Sequence, residues 1–190
     1  MERSLERRLY QRGSSPECRT VRWVLERKGL AYEPVEVDPV IAAELASRHH
    51  ETAALPLLED GERAVSGARP IAFYLERTYG TPSIFPPDAQ KRNQAVTLAE
   101  FAEQAMGSLT ARLLQGDTPR DELVASLRAR LGQVREGIGR CALDSGVLHL
   151  GDLAVAAHLV TCQEVPELEF GREYADLVAY VARVRAPTPG

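Results

Sequence analysis

Between Gly13 and Glu33 the chain reads GSSPECRTVRWVLERKGLAYE. Ser15, Pro16 and Cys18 stand at the spacing of a Cys-Pro-x-Cys dithiol site in which a hydroxyl replaces the first thiol. Two chemistries are open to Ser15. It precedes a proline, so it is an N-cap candidate, its oxygen taking a backbone N–H of the first turn while Pro16 occupies the first helical position. A hydroxyl at a helix N-terminus can also donate to an anionic sulfur and favour thiolate over thiol. Ser14 is the alternative hydroxyl. Cys18 falls at the third helical position, where the dipole favours a thiolate. It also lies on the apolar face of Val21, Val24 and Leu25, however, and a dithiol mechanism needs the partner that Ser15 replaces. A buried structural thiol is the expectation for Cys18.

Other reactive side chains are scattered. His49 and His50 are adjacent, and neighbours on a helix diverge by about 100°, so they are expected to face solvent and not to share a metal. Cys18, Cys141 and Cys162 are odd in number and far apart. That pattern suggests reduced thiols in a cytoplasm, with no disulfide framework and no metal site. A net charge of −4 argues against a broad nucleic-acid footprint. No apolar run is long enough to cross a bilayer, and the charged start, MERSLERRLY, is unlike an export signal.

The elements that must position these residues fall into two halves. In the first, RRLYQ (7–11) reads as a strand, 16–28 as a helix stopped by Gly29, and AYEPVEVD (31–38) as a strand whose Pro34 suits an edge. PVIAAELASRHH follows as a helix, then two short strands over 54–66 around the Asp60-Gly61 turn, then a helix in RPIAFYLERTYG with Ile71, Tyr74, Leu75 and Tyr79 on one face. The order is βαβαββα. TPSIFPPDAQ interrupts the pattern with three prolines, and Asp88 can cap what comes next.

Beyond it the chain reads as all helical. A long helix is predicted over 89–114. A second is predicted from Thr118-Pro119, a cap followed by proline at the first helical position, to about Gly146. A third, GDLAVAAHLVT, is apolar nearly all round and belongs in the middle of a bundle. A fourth runs over 172–185. The domains are therefore 5–80, a linker 81–88, and 89–190.

In this order the stretches SPECRTVRWVLERKGLAYEPVEVD, LPLLEDG, IAFYLERTYG, FPPDAQKRNQAV, GDLAVAAHL and YADLVAYVARV resemble the cytosolic glutathione transferases over almost the whole chain. The resemblance implies an α/β thioredoxin-like N-terminal domain followed by an all-α helical bundle. It implies attack of a glutathione thiolate on a small-molecule electrophile, as in detoxification, in a cytoplasmic homodimer with no nucleic acid, membrane or metal. The alternative is a non-catalytic binding or interaction module on the same scaffold.

In the serine-type members that this sequence resembles, the serine of a Ser-Pro pair hydrogen-bonds the glutathione sulfur, which would make Ser15 the catalytic residue. Leu55-Pro56 matches the family's Val-Pro, whose proline is cis and whose preceding backbone pairs with the cysteinyl part of glutathione. Gly67 and Ala68 stand where the family has Glu-Ser or Gln-Ser gripping the γ-glutamyl end. That leaves a helix N-terminus, with Arg69 close by, to take the carboxylate. Ala54 replaces a lysine-like residue that holds the glycyl carboxylate, with Arg48, His49 or His50 as possible substitutes. Asp152 matches a buried structural aspartate of a Ser/Thr-x-x-Asp capping box, in which His149 replaces the hydroxyl residue. An electrophile pocket is expected between the domains, with Phe101, Gln104, Ala105 and Ser108 on its wall.

Overall fold

In a computed structural model, which describes residues 7–49, 54–141 and 148–186, the chain divides into two compact units, Met1–Ser83 and Ile84–Gly190. The first contains β1 (Arg7–Gln11), α1 (Pro16–Arg27), β2 (Glu33–Glu36), α2 (Pro39–His49), β3 (Leu57–Asp60), β4 (Arg63–Ser66) and α3 (Ala68–Tyr79). The sheet order is β2-β1-β3-β4. β1 and β2 are parallel, and β3 and β4 are antiparallel to their neighbours. Pro34 does lie on an edge strand, where its missing N–H costs no ladder bond.

Register fixes which residues share a face. Tyr10 opposes Leu57 and Leu9 opposes Leu58, so the pleat sends the two pairs to opposite sides. Tyr10 and Leu57 form a buried cluster with Leu45 of α2, flanked by Val35, Val37, Ile41 and Leu55. Leu9 and Leu58 are fully buried on the other face. α1 and α3 pack on each other, presenting Val21, Val24, Leu25, Ile71, Ala72 and Leu75, all fully buried.

Polar anchors tie the helices of this unit together. The Asp60 carboxylate takes the hydroxyls of Tyr74 (3.0 Å) and Tyr79 (2.6 Å) and lies 3.3 Å from the Arg7 guanidinium. The side chain of Lys28 at the end of α1 is fully buried, and its ammonium donates to Glu76 (2.8 Å) and the Pro82 carbonyl (3.0 Å). A buried ammonium is tolerable only with such partners.

The second unit contains α4 (Ala89–Phe101), a π-helical turn (Ala102–Gly107), α5 (Ser108–Gln115), α6 (Arg120–Cys141), α7 (Leu150–Cys162), a 3-10 turn (Pro166–Leu168), α8 (Phe170–Glu173) and α9 (Ala175–Arg185). Asp88 caps α4, its carboxylate accepting the Lys91 N–H at 2.8 Å. α7 is the central helix, packed against α4 and α9 and buried along nearly its whole length. A Cβ on Gly151 would lie 2.7 Å from the Ala95 carbonyl oxygen, so α7 meets α4 backbone to backbone.

Three helical expectations need correction. The single helix over 89–114 contains a π turn, where backbone bonds reach one residue further. The helix expected over 172–185 is broken at Tyr174. Pro119 sits one residue ahead of α6, its carbonyl accepting the Leu123 N–H, instead of occupying the first helical position. The expected end near Gly146 lies outside the described residues.

α6 is joined to the segment after α7 by a row of arginines. Arg120 pairs with Glu167, Arg128 with Glu173, and Arg135 with both oxygens of Asp176 (2.6 and 2.8 Å). Arg128 and Arg135 also donate to the carbonyls of Glu167 and Glu173, and Arg135 covers the Tyr174 ring.

Candidate functional site

The parallel pairing of β1 with β2 sends the chain through a tight turn at the carboxyl end of β1 and directly into α1. That turn is pinned from several sides. The Ser15 N–H donates to the Arg12 carbonyl (3.0 Å), and the Arg12 N–H donates to the Cys18 sulfur (3.4 Å). The Gly13 N–H donates to Glu36 (2.7 Å), and Arg22 holds Gln11 Oε1 (2.7 Å) and the Gly13 carbonyl (3.1 Å).

Ser15 is the N-cap of α1, as the Ser-Pro pair predicts. Its hydroxyl oxygen accepts the Cys18 N–H at 3.2 Å, and its one proton goes to Glu17 Oε2 at 2.8 Å. Cys18 is fully buried, and burial pushes its thiol above the ordinary cysteine range. That combination is an inert core thiol, the opposite of the exposed low-pKa thiol that disulfide exchange needs.

The Leu55-Pro56 peptide is cis. The Pro56 carbonyl accepts the Gly67 N–H at 2.8 Å, and the Ser66 hydroxyl donates to the Ala54 carbonyl at 2.5 Å, so the strand entering β3 is tied to the end of β4. Among the described residues no partner takes the Leu55 N–H or carbonyl. Ser15 and Leu55 line one cavity of about 350 Å³, with Arg12, Val37, Ala42 and Leu45 completing its wall. The wall therefore has a polar corner, Arg12 and Ser15, and an apolar side.

Arg12 was missed by sequence reasoning. It is exposed, and among the described residues its guanidinium has no hydrogen-bond or ion-pair partner. The available signal was its place between the end of a strand and a Gly-Ser-Ser turn, which is where open α/β sheets present ligand-binding groups.

Gly67 and Ala68 begin α3. Gly67 has φ of 90°, a conformation in which any side chain is strained, so the acidic residue of the resemblance would not sit relaxed on this backbone. Pro70 has no N–H and so adds no backbone donor to the first turn of α3.

Arg48 and His49 are not among the residues that line this cavity. Glu59 Oε1 receives Arg48 (2.9 Å) and His49 Nε2 (2.9 Å), and Glu59 Oε2 receives the Tyr10 hydroxyl (2.9 Å). Burial pushes the Glu59 carboxyl up, but His49, Tyr10 and Arg48 outweigh it and hold it below its ordinary value. The expectation that His49 faces solvent is therefore corrected, because a carboxylate ten residues away claims it. His50 lies outside the described residues.

In the helical unit, Phe101 and Leu98 line a groove of about 470 Å³ between α4 and α6, together with Gln90, Asn93, Gln94 and Gln133. Gln104, Ala105 and Ser108 do not line it. Asp152 is buried, accepting the His149 N–H (2.9 Å) and the Tyr180 hydroxyl (2.8 Å). Among the described residues no three His, Cys, Asp or Glu side chains could hold a metal, and no helix is long and apolar enough to cross a membrane.

Residues 9–83 match the family described as glutathione S-transferase, N-terminal domain. A stringent starvation protein A homolog of Pasteurella multocida is 30% identical over 175 residues, covering 88% of this chain and 80% of that protein. Among solved structures, a delta-class glutathione transferase of Nilaparvata lugens superposes with a TM-score of 0.81 at 21% identity, over 97% of this chain and 90% of that one. A glutathione S-transferase of Methylobacterium radiotolerans, solved in complex with glutathione sulfonate, superposes with a TM-score of 0.73 at 25% identity, over 95% and 90%. The chain, with its thioredoxin-like α/β unit and its helical unit, belongs to the glutathione S-transferase family.

Proposed function

We propose that the cavity at the head of α1 holds the thiol end of glutathione and that the protein transfers this thiol to a small electrophile. One observation carries the reading: a single cavity is lined by both Ser15, at a helix N-terminus, and Leu55, whose N–H and carbonyl have no partner among the described residues. An extended peptide can pair with the Leu55 backbone in that position, with its sulfur directed to the polar corner. The γ-glutamyl carboxylate falls to the N-terminus of α3, with the positive charge of Arg69 close by.

The thiol proton passes to water. The thiolate lone pair forms the new C–S bond, and the leaving group departs with the electron pair of the bond it breaks. A free thiol is mostly protonated at neutral pH. Lowering its pKa by two units corresponds to about 2.7 kcal/mol in favour of the anion. The helix N-terminus and the polar corner are the groups available to supply it. The family resemblance further supports a homodimer acting in the cytoplasm.

Affinity for glutathione is expected to be weak. Gly67 and Ala54 remove two side chains that would each make a charge-assisted hydrogen bond of about 1.5–3 kcal/mol. Their joint loss corresponds to roughly a hundredfold or more in affinity.

A second reading, a non-catalytic binding or interaction module, is favoured by a specific observation: the Ser15 proton is already given to Glu17. Calorimetric titration with glutathione, alongside the rate of chlorodinitrobenzene conjugation, separates the two. Weak binding and a rate above buffer support the transferase. No heat at millimolar glutathione with a folded protein, and no rate above buffer, leave only the module.

A further inference from the structure

The two polar residues in the cavity corner are not equally available. A serine hydroxyl has a single proton to donate. Here it goes to Glu17, while the oxygen accepts the Cys18 N–H. For Ser15 to donate to a sulfur anion, its bond to Glu17 must break. The anion would then sit close to a carboxylate, and a like charge nearby raises a thiol's pKa. Both changes oppose the ionisation that the hydroxyl would be there to promote.

Arg12 stands in the contrary state. Its backbone is fixed at both ends by the start of α1, through its carbonyl to the Ser15 N–H and its N–H to the Cys18 sulfur. Arg12 lines the cavity and is exposed, and its guanidinium has no hydrogen-bond or ion-pair partner among the described residues. Arg22, on the first turns of α1, is instead held by Gln11 and the Gly13 carbonyl. A guanidinium is a fixed cation with five donors and is weakly hydrated for its charge, which suits it to a large, soft anion. The apolar wall of Val37, Ala42, Leu45 and Leu55 bounds the same cavity, so an anion there sits beside low-dielectric surface and the attraction is less screened than in open water.

We infer that the Arg12 guanidinium, and not the Ser15 hydroxyl, holds the anionic sulfur in this cavity, with the Ser15–Glu17 pair behind it serving to start the helix. The inference rests on the proposed thiol site and names the group that ionises the thiol there. It also sets a preference: ligands that are anionic at the sulfur position gain over their neutral counterparts.

The test is the pKa of bound glutathione, read from thiolate absorbance against pH, in wild type, Arg12→Gln, Arg12→Lys and Ser15→Ala. S-methylglutathione, whose sulfur cannot ionise, serves as the second ligand. Arg12→Gln is expected to raise the bound thiol pKa by about one unit, a tenfold loss of thiolate at neutral pH, and to leave S-methylglutathione affinity within twofold. Arg12→Lys is expected to recover part of the shift, and Ser15→Ala to move it less than Arg12→Gln does. Arg12 is exposed, so its loss does not threaten folding. If Arg12→Gln leaves the pKa in place, or Ser15→Ala shifts it as far or further, the assignment to Arg12 is wrong while the thiol site stands. If folded wild-type protein binds neither ligand, the thiol site is wrong and the assignment goes with it.

Discussion

Two helices of this protein begin with a polar side chain that accepts a backbone N–H of the helix start, and they are built for opposite ends. At the start of α7, Asp152 is 1% exposed, with one oxygen on the His149 N–H and the other on the Tyr180 hydroxyl. Gly151 beside it lets the α4 backbone approach so closely that no atom fits between. At the start of α1, Ser15 is also engaged on both sides, by the Cys18 N–H and by Glu17, but it borders an open cavity that Arg12, whose guanidinium has no partner among the described residues, also lines. Capping chemistry is common to both. Access differs, and access decides which terminus is architecture and which is a candidate site.

The largest effect is expected where the polar group is sealed. Asp152→Ala removes the acceptor of two buried donors, and each donor left without a partner costs about 1–3 kcal/mol. A loss of about 3 kcal/mol is expected, seen as a lower denaturant midpoint at unchanged slope. A loss below about 1 kcal/mol would mean that water or a neighbour replaces the carboxylate, and the sealed terminus would not be sealed.

An intermediate case lies on β3. Glu59 is partly covered and holds three partners, two of them from the end of α2. Its carboxyl is held below the ordinary value although burial alone would raise it. The sign follows from linkage. A lowered folded-state pKa contributes stability that is fully present above the unfolded value of about 4.3 and is lost as pH falls through the lower folded one. Thermal melts between pH 6 and pH 3 should therefore show wild type losing more stability than Glu59→Gln below about pH 4. Parallel curves for the two proteins would show that the three partners give the charged carboxylate no advantage over a neutral amide.

How much of this was legible beforehand depends on how far the determining partner lies. Ser15-Pro16, Asp88 and Asp60-Gly61 are signals contained within a few residues, and each cap or turn stands where the sequence puts it. The βαβαββα order follows from similar short-range grammar. What was not legible is set from a distance. His49 turns to a carboxylate on β3, and the π turn at Ala102–Gly107 and the break at Tyr174 carry no proline or local composition to announce them. Arg12 is one of 23 lysines and arginines, and only the cavity distinguishes it. Gly67 was visible as a missing acid, but its φ of 90°, which explains the glycine, was not.

The smallest effect is expected at the open terminus, and it separates the two bonds of Ser15. Replacing an N-cap serine by alanine costs about 1 kcal/mol, and by glycine only a few tenths, because glycine leaves the first-turn N–H groups open to water. If the hydroxyl serves the helix chiefly through the Cys18 N–H, Ser15→Ala should lose about 1 kcal/mol and Ser15→Gly a few tenths, both read from denaturant midpoints. The bond to Glu17 is removed equally by both. If it carried real weight in the fold, glycine would cost as much as alanine, and a Glu17→Gln variant would lose a similar amount by itself. A glycine variant near wild type, with Glu17→Gln also near neutral, would place the whole structural role of Ser15 in one cap bond. The hydroxyl proton would then be free to turn without cost to the fold, and the contrast with Asp152 would be as wide as the geometry makes it.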